Sequence, residues 1–293
     1  MQKLSKKRQG LTLKGRNALT GIAFTAIWII GFLAFTLYPI VYSIKLSLHS
    51  VQFAPEGIKM IWQGLRYYNE AWNVDTTFKL NLGNTVIFIV CALPVILVFS
   101  LLIAMTLNRE YRGRTFFRAA FFLPVVIMSG QVVQNLLDRY SLDFSSKAPW
   151  LYEFISGLPS FLSTPALFVL NNLLLILWFS GVQILMMLTG LQKISPEMYE
   201  AADIDGASGW QKFWKITLPQ MGSMLLLCAV YTVVTISNYS KNEMNSKISA
   251  NLFDSSRIYS YSAAMSWIYF IVIMLILFAV YLIFSWFGKE KKR

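Results

Sequence analysis

A chain of 293 residues that is 56% hydrophobic, 15% aromatic and only 14% charged carries too little charge for an ordinary soluble domain, where roughly a quarter of residues are ionisable. Composition therefore points to an integral membrane protein. A net charge of +12 would suit a nucleic-acid partner if the basic residues formed a soluble face, but here they gather in short clusters at the ends of apolar runs, so no nucleic acid is implied.

The chain opens on a basic segment, 1–18, with Lys3, Lys6, Lys7, Arg8, Lys14 and Arg16. The apolar run behind it, about 19–45, exceeds the ~7–15-residue core of a secretory signal and has no clear small-x-small cleavage pattern, so it reads as a retained first span. A bilayer core requires ~20 predominantly apolar residues per helix, because the backbone must satisfy its own hydrogen bonds there. Further runs of that length lie near 83–107, 116–137, 166–191, 220–240 and 264–288, followed by a basic tail, 289–293. The expected architecture is an all-α membrane protein of six transmembrane helices occupying 19–288.

The loops differ in character. Residues 46–82 hold Trp62, Tyr67, Tyr68 and Trp72, and residues 138–165 hold Trp150 and Tyr152; such aromatics either anchor the chain at the membrane interface or help dock an external partner. His49, the single histidine, has no spaced carboxylate or second histidine and reads as a solvated loop residue, so no metal site is expected. Cys91 and Cys228 sit inside apolar runs and read as packing residues.

Orientation follows from the basic residues, which favour cytoplasmic loops. Most of the 26 fall in the N-terminal segment, at Arg109, Arg112, Arg114 and Arg118, at Lys193, Lys212 and Lys215, and in the tail. An even number of spans with this bias places both termini and the loop 192–219 in the cytoplasm.

That loop carries the most specific pattern in the chain. Ser195-Pro196-Glu197 is a helix start, with serine able to cap, proline tolerated at the first position and glutamate at the positive dipole end. A helix is predicted from about Pro196 to Ile204, ended by Gly206, with a second helix after Ala207-Ser208-Gly209 and Pro219 at the entry to the fifth span. Ala201 and Ala202 permit close approach of another surface, and Glu200, Asp203 and Asp205 give the element an acidic rim.

The order Glu200-Ala201-Ala202, three residues, Gly206, nine residues, Ile216-x-Leu218-Pro219 matches without gap or substitution the signature of the permease subunits of binding-protein-dependent ABC importers, and the chain resembles that family. Leu37-Tyr38-Pro39, Asn84-Thr85, Arg112-Gly113-Arg114-Thr115-Phe116-Phe117-Arg118 and Phe121-Phe122-Leu123-Pro124 are similar to its carbohydrate-uptake branch, nearer the glycerol-phosphate and multiple-sugar type than the longer maltose permease subunit. The resemblance implies the type I permease fold in a bacterial cell (inner) membrane. It makes Glu200, Ala201, Ala202, Asp203, Asp205 and Gly206 a coupling helix for a separate ATPase. The implied partners are a second permease, usually a different chain, two ATP-binding subunits and an extracellular solute-binding protein. The chain would hold no cofactor and catalyse nothing itself, ATP and Mg being bound by the partner ATPases; it contains no phosphate-cradling Gly-rich loop of its own.

Polar side chains inside spans face a bundle interior or a water-filled path. Gln131, Gln134 and Asn135, then Asn171, Asn172 and Gln183, then Tyr231, Thr232 and Asn238 are the candidates, and for each the alternative is a hydrogen bond that holds helices together. Uncharged amides and phenols suit a neutral polyhydroxyl solute. An ion-coupled secondary transporter is the alternative function; it would ordinarily show internal repeats, interrupted helices and buried ionisable residues, and none is evident in the sequence.

Overall fold

The computed structural model describes residues 13–54, 57–109, 148–239, 242–252, 254 and 259–289. The expected third span, 116–137, with Gln131, Gln134 and Asn135, lies outside the described residues, as do most of the basic segment 1–18 and the tail after 289. Among the described residues four helices are long and apolar enough to cross a membrane, and a bent pair makes a fifth. The chain divides into two units, Met1–Thr76 with Ile248–Ile268, and Thr77–Lys247 with Tyr269–Arg293.

The first unit begins with α1 (Leu13–Phe32), a π turn (Leu33–Leu37) and α2 (Tyr38–Leu48) in succession. The π turn stands immediately before Tyr38-Pro39, and the Tyr38 N–H reaches back five residues to the Leu33 carbonyl. Proline lacks the N–H that continues the helical ladder and crowds the carbonyl four residues earlier, so the widened turn carries the helix through. The most apolar stretch of this rod buries nothing within the chain, and Phe24, Trp28 and Phe35 stand exposed; only near its end is a residue, Ser47, buried.

Past α2 the structure departs from the all-helical expectation. His49–Ala54 (β1) and Gly57–Trp62 (β2) pair antiparallel with His49 opposite Trp62 and Ala54 opposite Gly57. The sequence gives these strands no clear signal because they are short and lie between two much stronger apolar runs. His49 is correspondingly not a free loop residue: its Nδ1 lies 2.7 Å from the Lys45 carbonyl and its ring meets Trp62 edge-on at 5.0 Å. Helix α3 (Arg66–Asn69) and a second π turn (Glu70–Val74) follow. The unit is tied by hydrogen bonds from Val51 N–H to Ser260 Oγ (3.3 Å), from the Tyr261 hydroxyl to Asp75 Oδ2 (2.7 Å) and from Trp267 Nε1 to Ser43 Oγ (3.2 Å). Tyr67, expected at an interface, is instead buried against Tyr261.

In the second unit, α4 (Thr76–Asn108) runs 33 residues and buries Phe78, Leu82, Thr85, Ile89, Ala92, Ile96, Ser100, Ala104 and Leu107, the three- and four-residue spacing of a single face. Next come α5 (Pro149–Ser156), α6 (Ser160–Asn171) and α7 (Leu173–Leu191). The span expected as one helix over 166–191 is therefore interrupted: Asn172 leaves helical geometry (φ −109°, ψ 13°) and its side-chain amide donates to the Phe168 carbonyl at 2.9 Å.

The remaining elements are α8 (Pro196–Ile204), α9 (Gly209–Lys212), a π turn (Phe213–Thr217), α10 (Leu218–Gln220), α11 (Gly222–Ser237), α12 (Glu243–Ala250) and α13 (Ser260–Lys289). The third π turn repeats the device of the first, standing directly before Leu218-Pro219, with the Leu218 N–H bonded to the Phe213 carbonyl. The fifth span is bent: the segment Gly209–Gln220 meets Gly222–Ser237 at 65°, so interrupted helices, absent from the sequence reading, occur at Asn172 and at Met221.

Helices α7 and α11 form the core of this unit. Ser180, Gly181 and Gly190 on one and Ala229 on the other are small, which lets backbones approach where lipid supplies no hydrophobic drive. Gln183 Nε2 donates to Thr232 Oγ1 at 2.9 Å, and Thr232 donates to the Cys228 carbonyl at 2.7 Å. At Gly190 a Cβ would lie 3.0 Å from Met221 Sδ and from Met224 Cγ, so glycine is what allows α7 to pass the bend. Gly190→Leu should overpack this point by about 1–3 kcal/mol, with Gly190→Ala milder because the methionines can yield. The midpoint for thermal exposure of buried Cys228 to a thiol dye, in a Cys91→Ser background, is expected to fall in that order.

Candidate functional site

The loop between α7 and α11 is a helical hairpin whose bounds match the expectation at Pro196 and Ile204. Its corner is a complete Schellman motif. Gly206 adopts φ +72°, the Ala207 N–H reaches the Ala202 carbonyl at 2.9 Å and the Gly206 N–H reaches the Asp203 carbonyl at 3.1 Å, which satisfies carbonyls that a helix end leaves open. Nothing lies within 4 Å of a Cβ built on Gly206; the demand for glycine is one of backbone conformation and not of space.

The cap at the other end differs from expectation. Ser195 makes no side-chain capping bond. The capping serine is Ser208, at the start of α9, where Gln211 N–H donates to its Oγ and its own N–H donates to Gln211 Oε1, a reciprocal capping box.

Three antiparallel links bind the two arms. Lys212 Nζ donates to Asp203 Oδ1 at 2.6 Å, the Tyr199 and Thr217 hydroxyls lie 2.9 Å apart, and Gln220 Nε2 donates to Met198 Sδ at 3.6 Å. Asp203 is thus engaged within the hairpin, and all three rim acids, Glu200, Asp203 and Asp205, are exposed. Because Asp203 is itself largely exposed, that ion pair contributes about 1 kcal/mol at most. The exposed face also carries Ile204 (88% accessible) and Trp210 (71%).

The polar candidates inside the spans separate into different environments. Gln183 is fully buried between α7 and α11, and its Oε1 has no partner among the described residues. Tyr231 and Asn238 are exposed on α11 and at its end, Asn238 donating back to the Val234 carbonyl. Among the described candidates Asn172 is the one that lines a cleft of about 370 Å³, with Asn84, Thr85, Phe88, Phe168, Tyr239, Asn242 and Glu243 among its other walls. Gln131 and Asn135 lie outside the described residues.

The cleft is built by the polar finish of α11. Asn242 accepts from Thr85 Oγ1 (2.7 Å) and from the Met244 N–H (2.9 Å), and donates to the Tyr269 hydroxyl (3.3 Å). Tyr269 donates to the Ser237 carbonyl (2.9 Å), and Asn245 donates to the carbonyls of Ser237 and Tyr239. Glu243 Oε2 accepts from Asn84 Nδ2 at 2.9 Å. Asn242 and Glu243 were missed in the sequence because they fall outside any apolar run; the Asn84-Thr85 pair that faces them was the available signal. Nineteen residues of α7, about 28 Å at 1.5 Å per residue, separate the cleft from the hairpin, so the two features occupy opposite ends of the α7/α11 pair.

Apolar spans, a polar hairpin continuous with one of them and a polar cleft at the far end define a multi-span helical membrane protein. The chain belongs to the family of binding-protein-dependent transport system inner membrane components, whose model matches residues 78–293. It is 29% identical to the probable ABC transporter permease protein YesP of Bacillus subtilis (strain 168) over 94% of each chain. It is 31% identical to the lactose transport system permease protein LacF of Rhizobium radiobacter, over 76% of this chain and 74% of that one. Its fold is similar to that of a chain in the crystal structure of a bacterial ABC transporter involved in the import of the acidic polysaccharide alginate, at TM-score 0.68 and 18% identity, covering 92% of this chain and 96% of the other.

Gly206→Val forces a β-branched residue into the left-handed region, which strains the corner by about 1–2 kcal/mol or more. Hydrogen exchange in peptides covering 196–212 is expected to quicken, while exchange in α7 and α11 stays unchanged; unchanged exchange in the hairpin would contradict the role assigned to its corner.

Proposed function

We propose that the chain is the membrane-spanning subunit of an ATP-driven importer for a sugar or oligosaccharide, gripped by a separate ATPase through the hairpin of α8 to α10. The observation that carries this reading is the hairpin itself: an intact family signature folded into two cross-linked arms that lead through a single bend into a transmembrane helix. Glu200, Ala201, Ala202, Asp205 and Gly206 face or shape the surface for the ATPase, and Asp203 braces it through Lys212. Membership of the family supports the transport role. The lactose relative, and the multiple sugar-binding transport system permease protein MsmF of Streptococcus mutans, 32% identical over 55% of this chain, support a saccharide solute.

In this reading both termini and the hairpin are cytoplasmic, and the domain 19–288 pairs with a second, related permease to enclose the path. Solute arrives on an extracellular binding protein; a structural neighbour is described in complex with an alginate pentasaccharide-bound periplasmic protein, which supports a partner of that class. ATP with Mg is bound and hydrolysed by two partner subunits. Their closure draws the hairpins together and opens the path outward, and release after hydrolysis returns it inward. A stiff hairpin suits this task because displacement at Glu200 reaches Gly222 without being absorbed in the loop. Asn172, Tyr231 and Asn238, with Gln131 and Asn135, belong to the path, and Gln183 holds α7 to α11 beside it.

Glu200→Lys and Gly206→Val should abolish saccharide uptake and sharply reduce recovery of the ATP-binding subunit with the tagged chain, while the chain itself remains in the membrane at normal abundance. Normal uptake by both variants would refute the coupling role.

A further inference from the structure

The cleft at the end of the α7/α11 pair is chemically one-sided. Among the described residues that line it, Glu243 is the charged one. Its carboxylate is held in place by Asn84, and both side chains are exposed in the cleft. Phe88 and Phe168, 5.8 Å apart and tilted by 54°, supply apolar faces, and Asn172 adds a planar amide. The volume of about 370 Å³ falls in the range of small-molecule sites.

Apolar ring faces, planar amides and a fixed carboxylate together suit a saccharide ring, whose C–H faces pack on aromatics while its hydroxyls donate to the acid. A carboxylate between protein walls is less screened than one in open water and repels a solute of its own sign. We infer that this cleft is a saccharide subsite at the mouth of the path, and that Glu243 makes it select neutral sugars over acidic ones. The inference rests on the importer function proposed above and adds a residue that decides the charge of the solute. A chain of related fold belongs to a transporter involved in the import of acidic alginate, so the charge preference is assigned here to the lining and not to the fold.

Glu243 also sits in the first turn of α12, where a negative charge favours the helix, so loss of stability in a variant would say nothing about the cleft. The discriminating readout is selectivity. The intact transporter, purified with its partners into nanodiscs and kept free of binding protein, is examined by saturation-transfer NMR with raffinose as the neutral probe and trigalacturonate as the acidic one. ATP hydrolysis is measured on the same sample. Wild type is expected to engage raffinose and to disfavour trigalacturonate by roughly fivefold to tenfold. The isosteric Glu243→Gln should remove that preference, and Glu243→Lys should invert it. Equal engagement of both probes by wild type, engagement of neither, or a preference unchanged in both variants would overturn the inference while leaving an ATP-hydrolysing importer intact. A sample with no ATPase partner and no ATP hydrolysis would overturn the proposed function and this inference with it.

Discussion

Inside a bilayer the backbone has no water to turn to, so every departure from a continuous helix must bring its own hydrogen-bond partners. The irregular points of this chain are arranged around that constraint. Pro39 and Pro219 each follow a π turn in which the preceding N–H reaches back one residue further than usual. The break at Asn172 returns a side-chain amide to the Phe168 carbonyl. The end of α11 is met by Asn242, Asn245 and Tyr269, which take up carbonyls that a free helix terminus would expose.

The same constraint converts polar finishing groups into functional geometry. The amides that close α11 also bring Thr85 and Asn84, from the start of α4, against Asn242 and Glu243, and the space left between them is the cleft. At the other end, the bend of 65° at Met221 is possible because Gly190 gives room to the methionines of the turn. Both features depend on the close α7/α11 pair, through the small residues on their facing sides and the Gln183 to Thr232 to Cys228 chain of hydrogen bonds. An interruption in a span is thus not by itself a mark of an ion-coupled carrier; here each one has a local structural cause, and family membership favours the ATP-driven reading.

The hairpin obeys a different economy. It lies in a polar stretch where backbone groups can reach water, so its rigidity comes from links between arms: the Schellman corner, the capping box at Ser208 and the three side-chain bonds from Met198, Tyr199 and Asp203. No single link is strong, since most are exposed. Their antiparallel spacing links the two arms along their length, and Ile204 and Trp210 stand exposed on the hairpin.

Much of this was determined by the sequence alone, because it depends on local rules. Span lengths follow from bilayer thickness, and the apolar runs starting near 19, 83 and 264 carry through as helix, while those near 166 and 220 are helical with breaks at Asn172 and Met221. The helix Pro196–Ile204 and its glycine corner follow from proline, acid and glycine placed within one short segment, and the family signature lies on the same residues. Only tertiary structure decided the rest, because it depends on residues far apart in the chain. The hairpin of His49–Ala54 with Gly57–Trp62 is too short to show through its periodicity beside long apolar runs. Choosing Ser208 over Ser195 as a capping residue required the backbone to bring Gln211 back to it. The cleft joins Asn84 to Glu243 across 159 residues, and Gln183 became a helix-to-helix bond because Thr232 stands opposite it. A sequence states which side chains are available, but whether an amide lines a path or locks two helices is settled by what packs across from it.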